Sequence, residues 1–199
     1  MIFSSAYLPS VAYMIEMIHA EDIVIEVCET YTKQTCRNHC LIYGPNGKQT
    51  LSIPVIRVHG NRTLMKDIRI SYHQSWQRTH WRSIETAYNN SPFFLYYQDD
   101  LAPFFQRRFD YLIDFNMELL FLLLKLLKAK CRIALSDGFI RDVSTERGKI
   151  LVSKKSIFNN PPYPQPFASK LRFIPNLSII DCLFNLGPET SDYLRNSIN

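Results

Sequence analysis

Two short apolar segments flank a segment with helical spacing within the first 25 residues, and this order restricts the fold more than any other feature of the chain. Residues 1–8 are apolar and end at Pro9. Apolar side chains then recur on one side of residues 11–19, which predicts a helix. The β-branched run Ile23–Ile25 follows as a predicted strand. A strand, a loop, a helix and a second strand are the opening of an α/β fold.

The remaining elements extend this prediction to a single α/β domain over residues 1–199, with a mixed sheet from the amino-terminal half and a mainly helical second half. Residues 31–43 and 49–58 are predicted strands of a hairpin around Gly44–Gly47, and Pro54 indicates an edge or a bulge. The other predicted elements are strands at 68–70 and 133–135 and helices at 75–89, 99–112, 114–128 and 176–186. Residues 141–166, which include a proline-rich run, are expected to form a long, partly mobile connection.

Composition excludes several classes of protein. The chain has only 6 glycines and contains neither of the glycine-rich phosphate-binding motifs. Its 5 cysteines follow no secretory signal, which favours free thiols in a reducing, cytoplasmic compartment. The most apolar segment, 119–127, is far shorter than the roughly 18 apolar residues that span a bilayer, so no transmembrane segment is predicted.

The formal net charge of +5 arises largely from residues 57–82, where six basic residues face one acidic residue. One interpretation is a solvated basic face, and the other is the wall of a site for phosphate or carboxylate groups. Nucleic-acid binding is the least favoured hypothesis, because +5 spread over 199 residues is modest.

Residues 28–40 contain soft metal ligands, namely Cys28, Cys36, His39 and Cys40. Their spacing matches none of the usual closed zinc sites, and no paired C-x2-C knuckle is present. A catalytic cysteine would need a neighbouring base to form thiolate. Free thiols are the preferred interpretation, and neither a metal nor a cofactor is predicted.

The same segment carries a better candidate for anion binding. If residues 31–37 are a strand, Tyr31, Lys33 and Arg37 share one face. The lysine and arginine would then lie roughly 13 Å apart and could bracket a diphosphate. The alternative is a solvated sheet face.

Four further positions are candidates for chemistry. His80 lies beside Trp76 on the apolar stripe of the helix predicted over residues 75–89, where it is either a core residue or a general base. Glu26 ends the second predicted strand and is an acid, a base, a hydroxyl binder or an exposed loop residue. Tyr7 and Tyr13 flank the loop after the first strand, and ligands commonly bind at such strand ends.

Several motifs, in this order and spacing, resemble the WbqC-like proteins over nearly the whole chain. The aromatic-proline opening is residues 6–14, and the Tyr-x-Lys element with its arginine-asparagine pair, Arg37-Asn38, is residues 31–38. The other motifs are "LSIPV", "DIRI", "WQRTHWRSIETAYNNSPFF" and "FIPNLSIIDCLFNLGPE". The chain departs from the family pattern at Ser5-Ala6, where many relatives carry Gln-Pro, and at His39, where arginine is common.

The resemblance implies a role in bacterial surface-polysaccharide biosynthesis, of the O-antigen type. We expect a group-transfer enzyme that acts on a small anionic substrate such as a nucleotide sugar. Lys33, Arg37 and Asn38 would bind the anionic portion, and His80 or Glu26 would handle the proton. Aromatic side chains would supply stacking or hydroxyl contacts: Tyr7, Tyr13, Tyr31 and Trp76. The alternative is a non-catalytic binding or assembly protein of the same pathway.

Overall fold

The computed structural model of the protein describes residues 1–140 and 159–197. Its strands are β1 (Ile2–Ser4), β2 (Asp22–Glu26), β3 (His39–Gly44), β4 (Gly47–Ser52), β5 (Val55–Arg57), β6 (Ile68–Ile70) and β7 (Arg132–Leu135). Its helices are α1 (Val11–Ile18), α2 (Trp76–Tyr88), α3 (Phe94–Leu101), α4 (Leu112–Leu126), α5 (Ala168–Leu171), α6 (Ile179–Leu186) and α7 (Thr190–Asn196). The α/β class is confirmed.

A parallel three-stranded sheet in the order β1-β2-β7 forms the centre of the fold. The register aligns Ile2 with Val24, and Ile23 with Ile133. The predicted strand, helix and strand of the opening are confirmed, and the Ser10 side chain caps α1 by accepting from the Tyr13 backbone N–H at 3.4 Å. The third strand, β7, belongs to the second half of the chain.

In the described residues, antiparallel strands form two separate two-stranded sheets, β3-β4 and β5-β6. The predicted hairpin turn is confirmed, since Gly44 pairs with Gly47. Pro54 lies between β4 and β5 and divides the returning segment into two strands. The predicted strand over residues 31–38 is wrong, because this segment forms turns, and Gln34 adopts a left-handed φ of 56°.

The helix predicted over residues 99–112 is also wrong. The chain forms α3 earlier, at Phe94–Leu101, and continues as a 3₁₀ turn over Ala102–Phe105. Pro103 explains the end of α3, because a proline cannot donate the next helical hydrogen bond. Pro103 lies instead in the first turn of the 3₁₀ helix that follows. The other predicted helices are confirmed with small changes at their ends.

Helix α6 holds the two halves of the molecule together. All residues from Ile179 to Asn185 are buried, as in a helix surrounded by protein on every side. The segment before it bonds to the loop between β1 and α1: the Val11 N–H donates to Leu177 O at 2.9 Å, and the Ile179 N–H donates to Pro9 O at 2.8 Å. The Ser178 N–H also donates to Leu41 O in β3.

Gly187 ends α6 with a φ of 57° and ψ of −130°. A Cβ at this position would lie 2.5 Å from a ring carbon of Phe93. We expect Gly187→Ala to lower the free energy of unfolding by about 2 kcal/mol, through backbone strain and overpacking. Urea unfolding measures the change. Gly138→Ala is the matched control, because no atom lies within 4 Å of that Cβ, and an equal loss there would contradict the steric explanation.

Residues 159–174, which we call the strap, lie along α6. Their buried side chains are Asn160, Tyr163 and Gln165. The Tyr163 hydroxyl donates to Asp181 Oδ2 at 2.5 Å, and the Gln165 amide donates to the same oxygen at 2.8 Å. Asp181 Oδ2 on α6 therefore accepts hydrogen bonds from two side chains of the strap. The long connection predicted over residues 141–166 falls mostly on residues 141–158, which are outside the described residues.

None of the helices within residues 1–140 and 159–197 is both long enough and apolar enough to cross a membrane.

Candidate functional site

The carboxyl ends of the three parallel strands meet at one edge of the central sheet, which is where α/β folds commonly bind ligands. Several residues at this edge are polar although they are buried. Ser4 ends β1 and Ser5 follows it, Glu26 ends β2 and Ser136 follows β7, and each is at most 7% exposed. We call this region the sheet-edge site.

Arg37 and Glu29 form a buried ion pair at the sheet-edge site. Arg37 Nε and Nη2 donate to the two Glu29 carboxylate oxygens at 3.0 and 2.6 Å. Nη2 also donates to Ser4 Oγ at 3.0 Å, and Nη1 donates to Thr35 Oγ1 at 3.1 Å. Four of the five guanidinium N–H groups are thus engaged. The Ser4 carbonyl accepts from the Tyr13 hydroxyl at 2.8 Å, so Tyr13 joins the same network.

Tyr7 and His80 meet although 73 residues separate them in the sequence. The Tyr7 hydroxyl lies 2.9 Å from His80 Nδ1. Both side chains are buried, and Trp76 packs edge-on to the histidine with ring centroids 5.1 Å apart. The structure therefore brings together three residues that the sequence analysis identified as candidates.

The protonation of this pair follows from its surroundings. Burial lowers the pKa of His80 to about 4, against an opposing hydrogen bond to the Ser52 backbone, and His39 lowers it further. The ring is therefore neutral at pH 7. Because a carbonyl only accepts, the proton of the neutral ring faces Ser52, which leaves Nδ1 to accept from Tyr7. Burial also raises the pKa of Tyr7 well above its usual value, so Tyr7 remains a phenol.

Glu26 is 1% exposed, which excludes the exposed-loop interpretation. Its Oε1 accepts from the Cys28 N–H and the Ser136 hydroxyl, both at 2.7 Å. Its Oε2 accepts from the Ile140 N–H at 2.7 Å. Glu26 therefore joins the ends of β2 and β7 through these hydrogen bonds.

Asn116, which was not among the candidates from the sequence, links the residue after β1 to the turns that contain Arg37. Its Nδ2 donates to Ser5 Oγ and to the Arg37 carbonyl, both at 2.8 Å. In the sequence, Asn116 stands out as an amide side chain among the apolar residues of α4. Within the described residues, its Oδ1 is buried without a hydrogen-bond partner, as are Asn38 Oδ1 and Trp76 Nε1. Unsatisfied buried polar atoms are rare in folded proteins. The others in the described residues are Ser91 Oγ, Ser178 Oγ and Asp181 Oδ1.

Lys33 and Arg37 do not share a strand face as predicted, because residues 31–38 form turns. Lys33 is exposed, whereas Arg37 is buried and paired with Glu29. Tyr31 is as buried as Arg37: it is 6% exposed, and burial raises its pKa to about 12. The turns also cover Tyr7, whose N–H donates to Cys36 O at 2.8 Å.

The other sequence candidates have ordinary surroundings. Burial raises the pKa of the Cys40 thiol well above its usual value, which disfavours a reactive thiolate. No group of three His, Cys, Asp or Glu side chains in the part of the chain that the structure describes is arranged to hold a metal ion. The basic side chains of residues 57–82 are exposed or half-buried, as in a solvated face.

Comparison with known proteins identifies relatives but no activity. The model of the WbqC-like protein family matches residues 4–157 and 146–193. An uncharacterized protein of Mycobacterium tuberculosis (strain ATCC 25618 / H37Rv), Rv1507c, is 26% identical over 223 residues, which cover 98% of this chain and 96% of that protein. No solved structure is significantly similar to this chain.

Proposed function

Because the chain belongs to the WbqC-like protein family, we propose that it is a group-transfer enzyme of bacterial surface-polysaccharide biosynthesis, acting on a nucleotide sugar or a related anionic donor. The contact between Tyr7 and His80 carries this proposal. It joins a hydroxyl from the loop after β1, at the edge of the sheet where α/β folds bind ligands, to a neutral imidazole of α2.

In the proposed reaction, an acceptor hydroxyl attacks the anomeric carbon of the donor sugar. The bond from that carbon to the phosphate oxygen breaks, and the nucleoside diphosphate leaves with the electron pair. The acceptor proton passes to the Tyr7 oxygen while the Tyr7 proton passes to His80 Nδ1, which lies 2.9 Å from that oxygen. Trp76 supplies an aromatic face beside the histidine.

The substrate reaches this pair after the exposed turns of residues 32–35 move aside. Lys33 lies on those turns and provides the first contact for the anionic group. Arg37 retains one N–H for the ligand, since Glu29, Ser4 and Thr35 engage the others. Asn38 and Asn116 each offer a buried amide oxygen without a partner among the described residues, which suits a donor hydroxyl.

A non-catalytic binding protein of the same pathway is the second candidate, and one observation favours it. A histidine with a pKa of about 4 is a weak base at neutral pH, and efficient general bases have pKa values close to the working pH. Such a protein would use the same polar groups to hold the donor without transferring the sugar.

A panel of UDP-, GDP-, CMP- and dTDP-sugars distinguishes these candidates. A donor present at 100 times its Kd is expected to stabilise the protein by about 2.7 kcal/mol, which thermal unfolding detects. For the enzyme, phosphorus NMR then shows release of nucleoside diphosphate, or of CMP from a CMP-sugar, when a sugar acceptor is added. For the binding protein, stabilisation occurs without release.

Two variants sharpen the result. Tyr7→Phe removes the proton path and is expected to abolish release while the donor still stabilises the protein. Lys33→Gln is expected to weaken donor binding, whereas Lys48→Gln, which changes an exposed lysine on β4, leaves it unchanged. If no donor of the panel stabilises the protein, the anionic-donor proposal is wrong in both forms.

A further inference from the structure

A pocket of about 300 Å³ lies at the opposite edge of the central sheet from the sheet-edge site. It is bordered by the end of α1, by the residues just after α4 and by α7. Helices α1 and α4 lead directly into the first residues of β2 and β7, so their carboxyl ends lie at the amino-terminal edge of the parallel strands. The pocket is therefore distinct from the group of residues around Tyr7 and His80.

The charged groups that line this pocket are all positive. Lys128, Lys130 and Arg195 line it, and no Asp or Glu does. All three side chains are exposed. Within residues 1–140 and 159–197, the ion pairs are Arg37 with Glu29, Arg107 with Glu118, and Arg132 with Asp22. The three cations of the pocket thus have no carboxylate partner in the described part of the chain.

Cations near a helix end often serve to satisfy its last carbonyl groups, but this role is filled at α4. The Ala129 N–H donates to Leu124 O, and the Lys128 N–H donates to Lys125 O, both at 3.0 Å. The Ser191 hydroxyl donates to Leu127 O. Backbone groups and a serine therefore cap the helix, which leaves the lysine ammonium groups available for a ligand.

The backbone of Lys128 supports the same conclusion. Lys128 has a φ of 51°, in the left-handed region that glycine adopts most easily. A side chain at this position strains the backbone by roughly 1–2 kcal/mol. The position after α4 therefore carries a lysine where glycine would be the more stable choice, and that lysine lines the pocket.

The remaining lining is Ser191 and four apolar residues, Ile18, Ala129, Leu127 and Leu194. A ligand that fits both parts of the pocket has a compact anionic group and a small apolar or ring portion. We propose that this pocket binds a small organic phosphate, with the phosphate group between Lys128, Lys130 and Arg195 and the apolar portion against Leu127 and Leu194. A phosphate monoester carries close to two negative charges at pH 7, which suits three cations. This site is independent of the function proposed above.

Phenyl phosphate is a suitable probe, titrated into the whole protein at low ionic strength and followed by phosphorus and proton NMR. Phenol and inorganic phosphate are the comparison ligands. We expect phenyl phosphate to bind more tightly than either, because each contacts only one part of the pocket. Equal affinity for phenyl phosphate and phenol, or for phenyl phosphate and inorganic phosphate, would overturn the proposal.

The matched variants are Lys128→Gly and Lys125→Gln. Lys128→Gly removes one cation and relieves the left-handed backbone, so the urea unfolding midpoint should not fall. It is expected to raise the Kd for phenyl phosphate about tenfold, the loss of one charge-assisted contact. Lys125 is exposed one turn earlier on α4 and does not line the pocket. Equal weakening by both variants would indicate nonspecific surface attraction and overturn the proposal.

Discussion

Glu29→Ala is expected to lower the free energy of unfolding by about 3–5 kcal/mol, because it leaves the Arg37 guanidinium buried without a counter-charge. Both side chains of the pair are only about 5% exposed. The guanidinium also fixes Ser4 and Thr35, so the loss extends to the polypeptide around the sheet-edge site. Urea unfolding gives the change as a lower midpoint.

Two controls separate the effect of the unpaired Arg37 charge from the other effects of Glu29→Ala. Asp22→Ala removes the carboxylate of the exposed pair with Arg132, and a much smaller change is expected there, since water screens that pair. The double variant Glu29→Met/Arg37→Met removes both buried charges, and we expect it to be more stable than Glu29→Ala. If the double variant is the less stable of the two, lost packing rather than the stranded charge is responsible.

Asp181→Asn is expected to remove a pH-dependent loss of stability. Burial raises the pKa of Asp181 from 3.8 to about 6, against hydrogen bonds from Tyr163, Tyr88 and Gln165. The folded state therefore binds this proton more tightly than the unfolded state. The stability it contributes is fully present below about pH 4 and is lost as the pH rises through about 6. One pKa unit corresponds to about 1.4 kcal/mol, so the loss is roughly 3 kcal/mol.

An asparagine keeps an oxygen to accept from Tyr163 and Gln165 but carries no charge. Above pH 7 we expect Asp181→Asn to be more stable than the unmodified protein, and the difference to shrink as the pH falls to 4. Urea unfolding at several pH values measures this, with the exposed Asp192→Asn on α7 as the control. A difference that stays constant with pH, or grows as the pH falls, would contradict the assignment.

The periodic parts of this fold could be predicted from the sequence because they depend on local patterns. The spacing of apolar residues in α1 and α2, and the turn at Gly44–Gly47, specify their structures without help from distant residues. Residues 31–38 could not be predicted in this way. Their alternation suits a strand, but Glu29 draws the Arg37 side chain inward and the backbone turns. A contact of this kind is invisible in a periodic pattern.

The candidate site was predictable in part for the same reason. The position of His80 on an apolar stripe was evident from spacing, and the structure buries it. Its contact with Tyr7 depends on how α2 packs against the loop after β1, which no local pattern records. Asp181 was missed because the apolar residues around it predict only a buried helix face. A carboxylate in a helix buried on all sides was the available signal.

The central sheet combines strands that lie far apart in the order of synthesis. β2 is the middle strand of its sheet, yet β7, which completes it, is translated more than 100 residues later. The loop after β1 gains its hydrogen-bond partners later still, when Leu177–Ile179 are synthesised. Contacts so distant in sequence are slow to form. The sheet therefore stays incomplete until β7 is synthesised, and the unpaired edge of β2 is open to non-native pairing during that interval.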